Sequence, residues 1–334
     1  MKFALIVCTY MRPGPLQKLL DSVAGQTLYP DQIIIVDGSV NPLTKMFLET
    51  ATFRNLEYFL VTDADRGLTR QRNFGIAKVV GEVEVVCFLD DDTILEADYF
   101  EKLIGTYATH PDALGVGGYI LDEAPWKKVD ARYSPADSEF LFDGWVRPEP
   151  SRFVVRKRLG LDADRDPGYS PGFSHGRSLG FLPPSGKVYR VDQLMGGVSS
   201  LRKSIFEKFQ FSRYFEGYGL YEDADFTLRV SKTGALYLNT AATLHHYHDP
   251  SGRPNQFSYG RMVVRNGYYV WRVGTPRPSV KDRFKWHAIT LLLAGIRFTN
   301  AVSGPKRMQA LTEAVGRLAG WGGLLFDKPK DRLL

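Results

Sequence analysis

Three aspartates in a row close an apolar run, Phe88-Leu89-Asp90-Asp91-Asp92. Adjacent carboxylates repel one another and stay ionised at low cost only beside a cation. A hard divalent ion held by one or two carboxylates and completed by substrate phosphates is a common arrangement in nucleotide sites. A calcium-loop reading fails because its sixth position, counted from Asp90, is Leu95, where the sharp turn needs glycine. A second acidic cluster, Tyr221-Glu222-Asp223-Ala224-Asp225, is followed by Arg229. Asp225 and Arg229 form an i, i+4 ion pair at a helix start. That leaves Glu222 and Asp223 side by side, and a carboxylate projecting into a cleft there can act as a general base. The third cluster is Leu244-His245-His246-Tyr247-His248. On a strand, His246 and His248 share a face with Leu244, and His245 points the other way. Neutral imidazole is a good ligand for borderline ions such as Mn2+.

These groups need a frame, and the first 120 residues supply one by alternation. Residues 2–8, 32–36 and 83–89 are short apolar, strand-like runs. Between them Leu16, Leu19, Leu20 and Val23 recur at helical spacing with Gly25 as the stop. Residues 67–80 form a predicted helix with Leu68, Ile76 and Val80 on one side, and Tyr99, Phe100, Leu103, Ile104 and Tyr107 mark another, closed by Pro111. Strands alternating with helices in this way predict a parallel α/β sheet, in which ligands bind at the carboxyl ends of strands. Residues 122–190 lose the periodicity and read as a functional loop or insertion. Residues 201–209 and 222–230 are predicted helices, 235–248 a strand, and 279–300 a further helix. A last helical pattern shows Met308, Leu311, Val315 and Leu318 with Lys306, Arg307 and Arg317 beside them.

The chain has 334 residues, which predicts about two domains. With 44% hydrophobic and 24% charged residues it is ordinary globular material. Only two cysteines occur, Cys8 and Cys87, both in apolar runs, which fits a reducing compartment and excludes a disulfide scaffold. The run at residues 3–8 is too short for a secretory leader. Net charge is +6, but residues 253–334 hold 15 Lys/Arg against 4 Asp/Glu, leaving 28 against 33 in residues 1–252. An acidic body with a basic tail points to an anionic surface as the tail's partner. The longest uncharged apolar stretch of the tail, residues 286–296, is shorter than the ~17–25 residues that a membrane span needs. Tyr268, Tyr269, Trp271, Trp286 and Trp321 suit a membrane interface.

Taken in order, the motifs resemble the family 2 glycosyltransferases of the GT-A fold over about residues 1–253. They are Val7-Cys8-Thr9-Tyr10-Met11-Arg12-Pro13, Val36-Asp37-Gly38-Ser39, Gly67-Leu68-Thr69-Arg70-Gln71-Arg72-Asn73 and Leu89-Asp90-Asp91-Asp92. Met195-Gly196-Gly197 with Leu201-Arg202, then Glu222-Asp223-Ala224-Asp225, and His246 seven residues before Arg253 complete the set. The resemblance implies an α/β GT-A fold, Rossmann-like with a mostly parallel central sheet and flanking helices, plus a helical C-terminal extension. It implies a catalytic domain at 1–252, divided into a nucleotide-sugar half (1–121), an insertion with acceptor loops (122–190) and an acceptor and base segment (191–252). Residues 253–334 are then a basic amphipathic helical tail.

The implied activity is inverting, metal-assisted transfer of a sugar from a UDP-, GDP- or dTDP-sugar to a glycan or lipid-linked acceptor, in bacterial-type polysaccharide or glycolipid assembly. The implied cofactor is Mn2+ or Mg2+, held by Asp90, Asp92 and His246, with His248 in reserve and His245 disfavoured by strand alternation. Asp223 matches the catalytic base, with Glu222 contacting the acceptor. Thr9, Tyr10 and Asp37 match nucleoside-binding positions; Arg72 borders the nucleotide, and Asp90, Asp91, Gly196 and Gly197 join the substrate-binding set. Two positions depart from the family pattern: Met11 stands where Asn is frequent, and Asp37 precedes Gly38 without a second acidic residue. The implied location is the cytoplasm; the tail's own composition predicts either a peripheral anchor on the cytoplasmic face of an anionic membrane or a helical cap packed on the catalytic domain with its charges in solvent. Two other readings give different expectations. A sugar-phosphate nucleotidyltransferase needs a Gly-rich N-terminal loop, which the segment after Cys8 lacks. A nucleic-acid-binding protein could use the basic tail, but no binding module is present, no nucleic-acid partner is expected, and the acidic body repels phosphate.

Overall fold

Apolar runs flanked by turn residues become the strands of one large sheet, and the Leu16/Leu19/Leu20/Val23 stripe becomes a helix lying on it. The computed structural model describes residues 1–121, 123–215, 218–247 and 254–329. These fall into two units, Met1–Glu123 with Pro184–Gly252, and Ala124–Pro183 with Arg253–Leu334.

The first unit begins β1 (Phe3–Thr9), α1 (Pro13–Ala24), β2 (Gln32–Asp37), α2 (Leu43–Thr50), β3 (Leu56–Leu60) and α3 (Leu68–Ala77). It continues with β4 (Val85–Asp90), β5 (Thr93–Leu95), α4 (Tyr99–Thr109) and β6 (Ala113–Ile120). The second unit then supplies β7 (Lys127–Lys128), β8 (Glu139–Phe142), β9 (Trp145–Pro148) and α5 (Ser151–Arg158). The chain returns to the first unit for β10 (Val188–Val191), β11 (Val198–Arg202), α6 (Glu222–Val230) and β12 (Ala235–His246). Three helices, α7 (Gln256–Gly274), α8 (Val280–Ser303) and α9 (Arg307–Gly323), belong to the second unit.

The large sheet has the order β10-β12-β6-β11-β4-β1-β2-β3, with β5 also paired to β12. Strands β1 to β4, β6 and β12 run the same way, while β5, β10 and β11 run against them. The mostly parallel sheet with flanking helices matches the fold class implied by the motifs. Strands β1 and β2, buried but for a half-buried Cys8, carry continuous apolar runs because both sheet faces are covered. The second unit has its own three-stranded sheet, β7-β9-β8.

Several sequence expectations change in detail. Residues 201–209 were predicted helical; instead β11 takes 198–202, hydrogen-bonded between β4 and β6, and a 3-10 turn covers 203–207. The predicted apolar side of α3 is not the buried one. Val80 lies beyond the helix end and is exposed, and α3 buries Thr69, Gln71, Arg72 and Gly75. The cause is hydrogen bonding: Gln71 Nε2 donates to the carbonyls of Thr9 (3.1 Å) and Val36 (2.8 Å), stitching α3 to β1 and β2. Residues 124–183, read as irregular, hold β7, β8, β9 and α5, and fall in the same unit as residues 253–334.

Candidate active site

Parallel register brings the ends of three strands level. Thr9 pairs with Asp37 across β1 and β2, and Cys8 pairs with Asp90 across β1 and β4. The carboxyl edge of the sheet therefore presents Thr9-Tyr10, Asp37 and Asp90–Asp92 together. On the other side, β12 pairs antiparallel with β5, setting His246 opposite Thr93 and His245 opposite Ile94. The Tyr247 amide donates to the Asp92 carbonyl (3.0 Å), and the His246 imidazole Nε2 lies 3.0 Å from Asp92 Oδ1. One ligand atom each from Asp90, Asp92 and His246 lies within 4.8 Å of the others. His245 faces away, its Nε2 3.2 Å from Glu96 Oε1, and His248 lies outside the described residues.

Two carboxylate oxygens and one imidazole nitrogen fit a divalent ion of hard to borderline character, Mg2+ or Mn2+, with positions left for phosphate oxygens. Burial lowers the basicity of His246. Its hydrogen bond to Asp92 and the charges of Asp90, Asp92 and Glu123 outweigh that and raise it above the ordinary value. The hydrogen bond to Asp92 therefore favours the protonated imidazole, and a metal bound there would have to displace that proton.

Sequence reasoning assigned no role to Arg12, yet it is the main counter-charge of the acidic corner. Its Nη1 donates to Asp91 Oδ1 (2.6 Å) and its Nη2 to Asp92 Oδ2 (2.8 Å). The signal was present: an arginine three residues past β1, on the strand next to the one that ends in three aspartates. Asp91, expected among the substrate-binding groups, is buried and also accepts from Thr9 Oγ1 (2.7 Å). Burial pushes its carboxyl up to about 7 even against Arg12 and Thr9. Its contacts brace the loop after β1.

Helix α6 starts at the acidic pair. Tyr221, just before it, adopts a left-handed backbone (φ 71°), a conformation that costs a non-glycine residue about 1–2 kcal/mol and sharply redirects the chain. That turn follows Gly219 (φ 73°). The Asp223 carboxylate accepts from the amides of Gly196 (3.0 Å) and Ala224 (2.7 Å) and remains partly exposed. Burial raises its affinity for a proton against those two amides and the Arg72 cation. Glu222 is buried; its Oε1 is bound by Arg72 Nη1, and its Oε2 has no partner among the described residues. Burial pushes Glu222 up, against the pull of Arg72.

Arg72 comes from the polar side of α3. Its guanidinium is buried between Glu222 and Asp90 (3.7 Å) and stacks over Phe88 and Phe211 at 5.8 and 5.2 Å. One cation therefore links the metal-type carboxylates to the acidic pair. Gly196 and Gly197 make room for this. A β-carbon on Gly196 would lie 2.6 Å from Arg72 Nη1 and 2.7 Å from Glu222 Oε1, and one on Gly197 would run into the Asp90 carboxylate.

On the nucleoside side, Tyr10 is 45% exposed and its ring is accessible. Asp37 is enclosed: it accepts from the Ser39 amide (2.8 Å) and from the Tyr58 hydroxyl (2.9 Å), a residue sequence reasoning did not single out. Met11 also has a left-handed backbone (φ 59°), the conformation that Asn tolerates far better than Met.

The mostly parallel sheet with flanking helices is that of the GT-A glycosyltransferases. Residues 4–166, just under half of the chain, match the family model described as Glycosyl transferase family 2. It is 31% identical over 146 residues to a glucosyl-dolichyl phosphate glucuronosyltransferase of Haloferax volcanii, covering 42% of this chain and 44% of that protein. It is 30% identical over 105 residues to an O-antigen chain rhamnosyltransferase of Salmonella typhimurium, covering 31% and 32% of the two chains. The chain thus spans less than half the length of these relatives. Among solved structures, GalNAc-T7 with UDP, GalNAc and Mn2+ superposes with a TM-score of 0.50 at 15% identity, over 79% of this chain and 47% of the other. That likeness is one of fold.

Proposed function

We propose that the chain transfers a sugar, with inversion, from a nucleoside-diphosphate sugar to an acceptor hydroxyl in polysaccharide or glycolipid assembly. The observation that carries this reading is the convergence at one sheet edge of Asp90, Asp92 and His246 with the Glu222–Asp223 pair, joined through Arg72. The O-antigen and dolichyl-phosphate relatives support a glycan or lipid-linked acceptor. The compartment proposed is the cytoplasm, in keeping with thiols at Cys8 and Cys87 that are not joined to each other.

Asp90, Asp92 and His246 would hold Mn2+ or Mg2+. Bound there, the ion would supply Lewis-acid stabilisation of the departing diphosphate, worth several kcal/mol. Tyr10 offers its exposed ring to the nucleoside. Thr9 and Asp37, tied to Asp91 and to Ser39 and Tyr58, keep the two loops at that end in shape. Gly196 and Ala224 amides fix the Asp223 carboxylate, and its raised proton affinity suits it to take the acceptor hydroxyl's proton as the new bond forms. General-base assistance of this kind contributes about 10²–10⁴ in rate. Arg72 holds Glu222 beside the base, where the unpartnered Oε2 is an acceptor for a substrate hydroxyl.

The test is Asp223→Asn. Donor binding, read by ligand-induced thermal stabilisation across UDP-, GDP- and dTDP-sugars with Mn2+, should persist while transfer falls by about 10² or more. Near-normal transfer by the variant would remove Asp223 from the role.

A further inference from the structure

In a water-soluble amphipathic helix the large apolar residues face the core and the polar ones face solvent. Helix α9 does the reverse. Its buried residues are Ala310, Glu313, Ala314, Gly316 and Gly320, while Met308, Val315 and Leu318 are exposed, Met308 at 71%. The small residues are inside because α7 packs close: a β-carbon on Gly316 would strike the Phe257 carbonyl, and one on Gly320 would lie 3.0 Å from the Arg261 carbonyl. Buried Glu313 is neutralised by Arg297 (2.7 Å) from α8 and Arg317 (2.8 Å). Of the apolar stripe read from the sequence, Met308, Val315 and Leu318 point outward and Leu311 is half-buried.

Helix α8 carries a matching stripe. Phe284, Leu291 and Phe298 recur every seven residues and are exposed, with Val302 continuing the line. The two helices pack antiparallel, as the Trp321 Nε1 to His287 Nδ1 bond (3.1 Å) and the Arg297–Glu313 pair require. That register sets Leu318 about level with Leu291, and Met308 level with the Phe298–Val302 end. Exposed apolar residues on this scale mark an interaction surface. Its chemistry is given by the charges beside it. Lys281, Arg283, Lys306 and Arg307 are exposed at the starts of α8 and α9. Cations at helix N-termini oppose the helix dipole, so helix stability does not account for them. No helix among the described residues is long and apolar enough to cross a membrane.

We infer that the outer face of the α8–α9 hairpin lies on an anionic lipid bilayer, with the Phe284/Leu291/Phe298 and Met308/Val315/Leu318 stripes in the headgroup region and the four terminal cations on lipid phosphates. This inference stands apart from the transfer reading, because vesicle binding is measured without donor or acceptor.

The experiment is flotation of the full chain with phosphatidylcholine vesicles, with and without phosphatidylglycerol. The chain should float with the anionic vesicles, less so at high salt. Phe284→Ser with Phe298→Ser should cut the bound fraction about tenfold, and Lys281→Gln, Arg283→Gln, Lys306→Gln and Arg307→Gln together should do likewise. All six side chains are solvent-exposed, so the thermal unfolding midpoint should stay within a few degrees. Unchanged flotation of both variants, or no flotation of the parent chain, overturns the inference. So does a parent dimer that the phenylalanine variant turns into monomers while vesicle binding is unaltered, since the face would then belong to a second copy.

Discussion

At the scale of single residues, the site is a set of opposite charges brought close by strand register. Asp90 and Asp92 stand out in the sequence because they close an apolar strand, where ligands bind; strand alternation leaves His246 and His248 on one face, and only the family resemblance singles out His246. Arg12 and Tyr58 do not stand out. Their roles depend on which strands become neighbours, and a side chain's partner across 79 residues is not a local property. Met11 is a case where local chemistry does speak. A left-handed backbone (φ 59°) brings Cβ close to the following carbonyl oxygen, a cost that Asn offsets by local hydrogen bonding and Met does not. Met11→Asn should therefore stabilise the chain by about 0.5–1 kcal/mol, measured by urea denaturation. A loss of stability would mean that Met11 makes contacts worth more than the backbone strain.

Elements were legible in proportion to how much of their sequence is devoted to packing. Helices α1 and α4 have clean apolar stripes and appear where the pattern puts them. Helix α3 misled the pattern because its buried side serves the site: Gln71 and Arg72 face inward, and Gly75 lets the helix press on the sheet. A β-carbon at Gly75 would lie 2.8 Å from Ile6 Cγ2 and 3.2 Å from Val36 Cγ2, branches of buried strand residues that cannot swing aside. Gly105 in α4 is exposed and has nothing within 4 Å of its added β-carbon. The same change should then have opposite signs. Gly105→Ala should gain about 0.5–1 kcal/mol from helix propensity, whereas Gly75→Ala should lose about 1–2 kcal/mol through overpacking. Paired denaturant curves decide it, and a stabilising Gly75→Ala would show that α3 sits less tightly than described. Strand β11 escaped sequence reading for another reason: a short run joined to a helix-like pattern takes its state from β4 and β6 on either side.

For the molecule as a whole, charge is divided between an acidic body that carries the carboxylate site and a basic C-terminal segment, as the composition already said. Composition could not say which way the apolar stripes of α8 and α9 face, since that depends on how tightly α7 packs against α9. The body's acidic site has a pH signature. A general base works only when ionised, and burial raises Asp223 above its ordinary value of 3.8. Activity should therefore fall as pH drops, with the acid limb above the ordinary aspartate range. Raised His246 acts in the same direction, because an imidazolium cannot ligate a metal. A kcat/KM profile that stays flat down to about pH 4 would contradict both assignments.

The central claim is that Asp90, Asp92 and His246 form one divalent-cation site. Titration of Mn2+ followed by electron paramagnetic resonance, on the parent chain and on Asp92→Asn, addresses it without any substrate. Saturable binding by the parent and affinity weakened about tenfold or more in the variant is the result predicted; equal Mn2+ affinity in the two proteins would contradict the account.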